Sequence, residues 1–330
     1  MTGTGLPGNT GQPGNTGQPG NTGEASSDEL AERLQAGDQR ALARVISMIE
    51  NGDARVRPVM KALAPSAGGA RVIGLTGAPG AGKSTVTGAL VKAFRSAGQK
   101  VAVLAVDPSS PFSGGALLGD RVRMQEHATD PGVFIRSMAS RGQLGGLAAA
   151  TPQGVRALEA AGFDVILIET VGVGQAEVEI ASAADCTIVL IVPGMGDSIQ
   201  AAKAGVLEIA DVLVVNKADR PDTQATVRDL RNMVALSSAE WKPPIVTTVG
   251  ISGAGIDDLM GQLDRHWEWL AASGERDRRR LGRARDEVTA LAFGAVRDRL
   301  IVPDELAARV ASGRLGSHEA AAELLASAGF

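Results

Sequence analysis

The stretch "GAPGAGKST", from Gly77 to Thr85, constrains the fold of this chain more than any other feature. It follows the apolar run "RVIGLT" and precedes the helix-like run "TVTGALVKAF". A glycine-rich loop in this position exposes backbone N–H groups, and the helix that follows directs its positive end toward them. Strand, loop and helix in this order predict an open sheet that is covered by helices.

The centre of the chain repeats this rhythm of short apolar strands and helical stretches. Six more runs have strand character, namely "KVAVLAVD", "GVFIRSM", "DVILIET", "CTIVLIV", "DVLVVNK" and "PIVTTV". The central runs are apolar on both faces, as expected for strands buried between two helical layers. We therefore predict an α/β domain over residues 69–265, with a doubly wound and mostly parallel sheet of the P-loop NTPase type.

The segments that precede this domain are predicted to differ from it. Residues 1–26 repeat "PGNTGQ" and have almost no apolar side chains to offset the entropy of ordering, which predicts a disordered tail. Residues 27–68 are predicted to be helical. Ser26 and Glu29 match a capping box at the start of this segment, and the apolar residues after them follow helical spacing.

Residues 266–330 show no strand signals and predict a helical arm, with one long charged helix and two shorter helices after Pro303. The arginine run from Arg276 to Arg285 could bind phosphate, but the interspersed acids favour a solvated helix face. Apolar positions such as Phe293 and Val296 would be partly exposed on a lone helix. We therefore expect the arm to mediate a homodimer; packing of these positions against the parent domain is the alternative.

Composition narrows the classes of function. The net charge of −4 predicts no general attraction to nucleic acid or to an anionic membrane. The single cysteine, Cys186, cannot form an internal disulfide, which fits a reducing cytoplasm, and clusters of Cys and His with the spacing of a zinc site are absent. No apolar run is long enough for a transmembrane helix, and the amino terminus lacks the pattern of a signal peptide.

The glycine-rich loop matches the pattern G-x-x-x-x-G-K-[ST]. Its expected phosphate-binding residues are Gly77, Ala78, Pro79, Gly80, Ala81, Gly82, Lys83, Ser84 and Thr85. Lys83 would neutralise the β- and γ-phosphates and contribute to catalysis, and Ser84 would ligate Mg²⁺. A chance glycine-rich turn is the alternative, and the flanking strand and helix argue against it.

An acid follows the buried run "DVILI". Glu169 there can hold a Mg²⁺-bound water, and the N–H of Gly172 can approach the γ-phosphate. A surface acid at a strand end is the alternative. Gln175 is equally compatible with orienting the attacking water and with an ordinary surface position.

The motif "NKAD", which follows the strand "VLVV", indicates which nucleotide base the site binds. The Asp219 carboxylate can accept hydrogen bonds from N1–H and from the 2-amino group of guanine, whereas adenine has neither donor. A site built for those donors rejects a base that lacks them. Asn216, Lys217 and Asp219 therefore predict that the nucleotide is GTP rather than ATP.

The chain closely resembles the MeaB/ArgK-type G-protein chaperones of adenosylcobalamin-dependent acyl-CoA mutases. The resemblance runs from about residue 28 to the end. Besides the two nucleotide motifs, it rests on "VDPSSPFSGGALLGDRVRM", "FIRSMASRGQLGGLA", "ETVGVGQAE" and "VPGMGDSIQAAKAG". It implies a homodimeric GTPase that gates cofactor loading on methylmalonyl-CoA mutase or a relative and protects that enzyme.

The resemblance also implies roles for single residues. Asp107, Asp120 and Glu169 would work around Mg²⁺, with Asp107 and Glu169 counted among the catalytic groups. A loop containing Asp197, Gln200 and Lys203 would sense the mutase. In one respect the sequence departs from the family, because the loop that supports guanine usually reads Ser-Ala, whereas Val249 and Gly250 stand there. The N–H of Gly250 could still reach guanine O6.

Three other functions share parts of this pattern. A metal-delivery GTPase for urease or hydrogenase would use the same core, but such proteins usually carry clusters of Cys and His ligands. A P-loop kinase would need a base that activates its acceptor, and it has no use for N-K-x-D. A non-catalytic regulator could use GTP as a clamp, and only measured hydrolysis separates it from a GTPase.

Overall fold

A computed structural model describes residues 26–108, 129–140, 146–170, 176–194 and 207–329 of the chain. The predicted tail lies outside these ranges, except for Ser26, whose hydroxyl accepts a hydrogen bond from the N–H of Glu29 at the start of the first helix. Within the ranges, the chain folds into one parallel sheet with helices on both faces. The predicted fold class is confirmed.

In the described residues, seven strands form the sheet, and each one overlaps one of the seven apolar runs read from the sequence. The strands are β1 Arg71–Gly77, β2 Val101–Pro108, β3 Val133–Ser140, β4 Val165–Thr170, β5 Cys186–Ile191, β6 Val212–Asn216 and β7 Ile245–Thr248. Their order is β3-β2-β4-β1-β5-β6-β7, and all six neighbouring pairs are parallel. All seven carboxyl ends therefore lie along one edge of the sheet, which we call the carboxyl edge, and all amino ends lie along the opposite amino edge.

The helices connect the strands and extend the chain at both ends. They are α1 Ser27–Gln35, α2 Gln39–Glu50, α3 Val56–Leu63, α4 Lys83–Ser96, α5 Gly146–Ala160, α6 Ala176–Ala183, the short α7 Leu207–Ile209, α8 Thr223–Ala235, α9 Ile256–Ser273, α10 Glu275–Arg297, α11 Asp304–Ala311 and α12 Ser317–Ser327. In the described ranges, no helix combines the length and apolar character that crossing a membrane requires.

The core lies on both faces of the sheet, because alternate side chains of a strand point to opposite faces. In β4, Ile166 and Ile168 pack with α1, α2, α3, α5 and α6, whereas Val165 and Leu167 pack with α4 and α9. The amino-terminal helices thus share one continuous apolar cluster with the sheet. A third cluster joins β5 and β6 to α8.

The carboxy-terminal arm begins in the body of the protein. The predicted boundary at residue 266 falls inside α9, and His266 and Leu270 of that helix are buried. The next helix, α10, runs beneath the amino edge and contacts α5, α6 and α9. The pair α11 and α12, expected from the sequence after Pro303, pack against each other.

Three arginines of the run on α10 do not lie on the solvated face that the sequence favoured. Arg280 and Arg283 donate to the buried carboxylate of Asp185, at 3.2 and 2.5 Å, and Arg279 makes two bonds to the buried carboxylate of Asp211, at 2.8 and 2.9 Å. Burial alone would raise the pKa of the Asp185 carboxyl, but Arg283 and Arg280 outweigh it and hold that pKa below its usual range. The partners of these arginines are distant in sequence, so local charge pattern could not reveal them.

Candidate nucleotide site

The site lies at the carboxyl edge, where β1 gives way to the glycine-rich loop and α4. Gly77 has φ +141°, and a Cβ built there would stand 2.4 Å from the backbone oxygen of Leu190 on β5. Gly82 has φ +90°, and a Cβ there would stand 2.4 Å from Asn216 Nδ2. Both positions therefore require glycine, for backbone conformation and for close approach.

Lys83 is the first residue of α4, and its side chain folds back over the loop. Its ammonium donates to the carbonyl oxygens of Gly77, at 2.6 Å, and Ala78, at 3.2 Å. The first N–H groups of a helix have no partners within the helix, and together with the helix dipole they favour an anion at this end. Loop, helix end and ammonium thus form one cationic cradle for phosphate.

Ser84 and Glu169 meet beside this cradle, as strand order predicts, because β4 is the neighbour of β1. The Ser84 hydroxyl donates to Glu169 Oε1 at 2.6 Å, and both residues are buried. A hydroxyl and a carboxylate are the hard oxygen donors that Mg²⁺ prefers. The donor set therefore fits a Mg²⁺ ion next to the phosphates.

Asn216, at the end of β6, joins the loops of the site. Its Nδ2 donates to the Ala81 carbonyl at 2.8 Å. Its Oδ1 accepts from the Thr248 hydroxyl and from the Gly250 N–H, both at 3.1 Å. One buried amide therefore fixes the glycine-rich loop against the loop after β7. The distance between the phosphate-binding and base-binding parts of the site is thus set before a nucleotide binds.

Lys217 and Asp219 occupy the turn that follows. Lys217 has φ +58°, which is uncommon for a residue with a side chain, and its ammonium donates to the Gly80 carbonyl at 2.8 Å. Such strain persists where the surroundings impose it, often at functional sites. Asp219 is exposed at this turn, so its carboxylate is accessible to a base.

The remaining predicted residues are described only in part or not at all. Asp107 lies in β2 next to the end of β4, and its side chain is not described. Outside the described residues lie the predicted positions Asp120, Gly172, Gln175, Asp197, Gln200 and Lys203. The structure thus assembles the loop, Ser84, Glu169 and the "NKAD" residues at one edge.

Sequence reasoning missed two features of this site. It assigned Asn216 to the nucleotide and did not predict that its amide bridges two protein loops. It also overlooked Thr248, whose position at the end of a strand and before "VG" was the available signal. The N–H of Gly250, expected to reach guanine O6, donates to Asn216 here.

Comparisons with known proteins agree with this geometry. The family model described as methylmalonyl Co-A mutase-associated GTPase MeaB matches residues 42–305. A protein of Pyrococcus horikoshii that carries a GTPase name is 48% identical over 274 residues, which cover 82% of this chain and 86% of that protein. GTPase ArgK of Escherichia coli is 38% identical over 261 residues, which cover 76% of this chain and 78% of that protein.

A solved structure described as an LAO/AO transport system kinase superposes with a TM-score of 0.69 at 27% identity. The match covers 92% of this chain and 97% of that one. Fold, site geometry and relatives agree that this is a P-loop GTPase, which hydrolyses GTP. The chain belongs to the MeaB family of methylmalonyl-CoA mutase-associated GTPases.

Proposed function

We propose that this GTPase is a chaperone of an adenosylcobalamin-dependent acyl-CoA mutase, and that GTP hydrolysis gates loading and exchange of the cofactor on that enzyme. The observation that carries the proposal is the match of residues 42–305 to a family described as mutase-associated. Methylmalonyl-CoA mutase is the partner that this description names, and we propose that enzyme or a close relative.

Within the site, we assign phosphate binding to the loop from Gly77 to Thr85 and the Mg²⁺ ion to Ser84 and Glu169. The 2.6 Å bond between those two side chains supports their sharing an ion. Asp107 and Asp120 complete this group by family resemblance. Bound Mg²⁺ would neutralise charge on the β- and γ-phosphates, while Lys83 stabilises the negative charge that the γ-phosphoryl oxygens carry during transfer. Gly172 would donate its N–H to the same phosphate.

Base recognition is assigned to Asp219, with Asn216 holding the loops on either side of the base. Asp219→Asn should weaken GTP binding by about 1–3 kcal/mol, because the 2-amino group of guanine then faces an amide N–H group in place of an acceptor oxygen. The same variant should improve binding of xanthosine triphosphate, whose 2-oxo group accepts a hydrogen bond from the new amide. Titration of both nucleotides checks this, and unchanged GTP affinity would contradict the assignment.

The exposed apolar surface of α10 supports the proposal of a homodimer. Val288 and Phe293 are 66% and 70% exposed, and Ile301 after the helix is 78% exposed. Between α10 and the turn from α2 to α3 lies an open groove of about 910 Å³. We propose that a second copy covers this surface.

Point variants test the dimer more cleanly than deletion of the arm, because Arg279, Arg280 and Arg283 of the same helix bind the amino edge. Phe293→Asp should convert a dimer to a monomer in light scattering, with GTP turnover by the free subunit retained. A variant that remains dimeric would contradict the assignment of this surface.

The mutase role is tested by steady-state phosphate release with and without methylmalonyl-CoA mutase. We expect slow hydrolysis that accelerates when the mutase binds, because a partner can order a switch loop and complete the site. Asp197→Ala and Lys203→Ala should blunt the stimulation while leaving hydrolysis by the isolated protein within a few-fold. Lys61→Ala, an exposed lysine on α3, is the matched control.

If no acyl-CoA mutase stimulates hydrolysis or binds in any nucleotide state, the chaperone role is wrong and the GTPase activity stands alone. Stimulation by a urease or hydrogenase maturation partner instead would indicate metal delivery.

A further inference from the structure

We propose that Cys186, Asp211 and His266 form a buried site for a divalent transition-metal ion, Zn²⁺ by its donor set, at the amino edge of the sheet. This site is separate from the nucleotide site, which lies at the opposite edge. It does not depend on the proposed mutase role.

The three side chains converge from separate elements. Cys186 begins β5, Asp211 immediately precedes β6, and His266 lies in α9. One ligand atom of each lies within 4.8 Å of the others, and the residues are only 4%, 5% and 0% exposed. Ligand atoms about 2.0–2.3 Å from a tetrahedral Zn²⁺ lie about 3.3–3.8 Å apart, so a pair at the 4.8 Å limit would close by about 1–1.5 Å on binding.

His266 is the observation that points to a ligand. Its imidazole is fully buried, and neither ring nitrogen makes a hydrogen bond to a described residue. Nε2 lies 3.3 Å from Asp211 Oδ1, close enough for an electrostatic contact but without the geometry of a hydrogen bond. Buried polar atoms are normally satisfied, and an ion is one of the reasons why such an atom lacks a protein partner. A metal at Nε2 satisfies that nitrogen.

Asp211 is already held in the orientation that a ligand needs. Arg279 makes two bonds to its carboxylate, and the Thr187 N–H donates to Oδ2 at 2.8 Å. Outer contacts of this kind orient ligating groups and tune the affinity of metal sites. The carboxylate therefore presents Oδ1 toward His266 with its position fixed.

The charges around the site can accommodate the ion. Binding requires the Cys186 thiolate, so one proton leaves for each ion bound. Zn²⁺ plus thiolate adds one net positive charge, the same as a protonated His266 would add beside Asp211. The neighbouring carboxylates Asp185 and Glu275 pair with arginines of α10, and Asp211 itself pairs with Arg279, so the ion, the thiolate, Asp211 and Arg279 together carry one net positive charge.

The donor set decides the metal class. One sulfur, one imidazole nitrogen and one carboxylate oxygen suit Zn²⁺ and Co²⁺, whereas Mg²⁺ and Ca²⁺ take oxygen donors. The indole N–H of Trp241 donates to the Asp211 carbonyl at 2.8 Å, and its ring lies 4.7 Å from the His266 ring. Trp241 thus covers the site and should report on its occupancy. A bound ion would join β5, β6 and α9.

The test titrates full-length, metal-stripped protein with Co²⁺ while Mg²⁺ and GDP saturate the nucleotide site. We expect one equivalent of Co²⁺ to produce a thiolate-to-cobalt charge-transfer band in the near ultraviolet and to quench tryptophan fluorescence. Zn²⁺ should displace the Co²⁺ and remove the band. Protein purified without chelator should contain one zinc per chain by mass spectrometry.

Loss of a group that only supports a metal ligand weakens metal binding by about 10–100-fold. Cys186→Ser and His266→Gln each remove a ligand, so each should weaken Co²⁺ binding by more than that. An exposed histidine provides the control, because His318→Gln should bind Co²⁺ as the parent does. Circular dichroism and GTP turnover verify that each variant is folded. If a variant does not fold, the parent protein decides, and a parent without the charge-transfer band overturns the site. Equal binding by parent and Cys186→Ser overturns it as well.

Discussion

The two edges of the sheet use polar residues in opposite ways. At the carboxyl edge, the turn after β6 leaves Asp219 exposed, and α4 directs its first N–H groups into the phosphate loop. At the amino edge, Asp185 and Asp211 are buried and bonded to guanidinium and backbone N–H groups. One parallel sheet thus keeps exposed hydrogen-bonding groups for a nucleotide at one edge, and at the other edge it pairs its buried carboxylates with groups of the protein itself.

The largest expected effect on stability is at the amino edge. Asp185→Ala should lower the free energy of unfolding by about 3–5 kcal/mol, because it leaves the partly buried guanidinium of Arg283 and the N–H of Val72 without this acceptor. Urea denaturation followed by circular dichroism measures this loss. GTP turnover at low temperature should persist, since the nucleotide loops lie at the other edge.

The control for Asp185 is an ion pair near the surface. Arg71 and Asp264 approach to 2.7 Å, but the Asp264 side chain is 57% exposed. Asp264→Ala should therefore cost at most about 1 kcal/mol. If both variants lost the same free energy of unfolding, burial would not make the ion pairs of the amino edge more important for stability than an exposed ion pair.

At the carboxyl edge, the expected effect falls on catalysis. Lys83→Ala should reduce GTP turnover by about 10²–10³-fold, the usual loss when one preorganised donor to the transition state is removed. Its free energy of unfolding should fall by less than that of Asp185→Ala. Lys92→Ala, an exposed lysine on the same helix, should leave both quantities unchanged. Steady-state phosphate release and urea denaturation together measure this pair.

The sequence predicted the two edges unequally. The seven strands were evident because apolar runs repeat locally, and the two nucleotide motifs could be located because the residues of each are contiguous. The amino edge depends on pairs such as Asp185 with Arg283 and Cys186 with His266, which meet only after the chain folds. In the sequence, these residues belong to a charged helix or stand as isolated polar residues, patterns that are also typical of a protein surface or core. The sequence therefore favoured a solvated helix face and argued against a zinc site.

The bridging role of Asn216 predicts a signature distinct from base recognition. Asn216→Ala removes the bond to Ala81 and the acceptor for Thr248 and Gly250. It should weaken GTP binding by about 1–3 kcal/mol. It should weaken xanthosine triphosphate binding by the same factor, because it loosens the loops and leaves the base-recognising residue, Asp219, unchanged. A gain in xanthosine triphosphate binding would instead place Asn216 directly on the base.

The smallest effect is expected at Gly250, where the loop after β7 touches α4. A Cβ there would lie 3.3 Å from Cγ2 of both Thr85 and Val86, so two methyl groups must shift by a few tenths of an ångström. Gly250→Ala should therefore lower GTP affinity by about 1 kcal/mol, at the low end of overpacking costs.

Gly261→Ala provides the contrast, because nothing lies within 4 Å of a Cβ at that position in α9. It should leave GTP affinity unchanged and stabilise the fold by about 0.5–1 kcal/mol, as alanine does in a helix interior. Calorimetric titration with GTP and urea denaturation measure both variants. Tighter GTP binding by Gly250→Ala would show that the loop relaxes around the methyl group and gains rigidity from it.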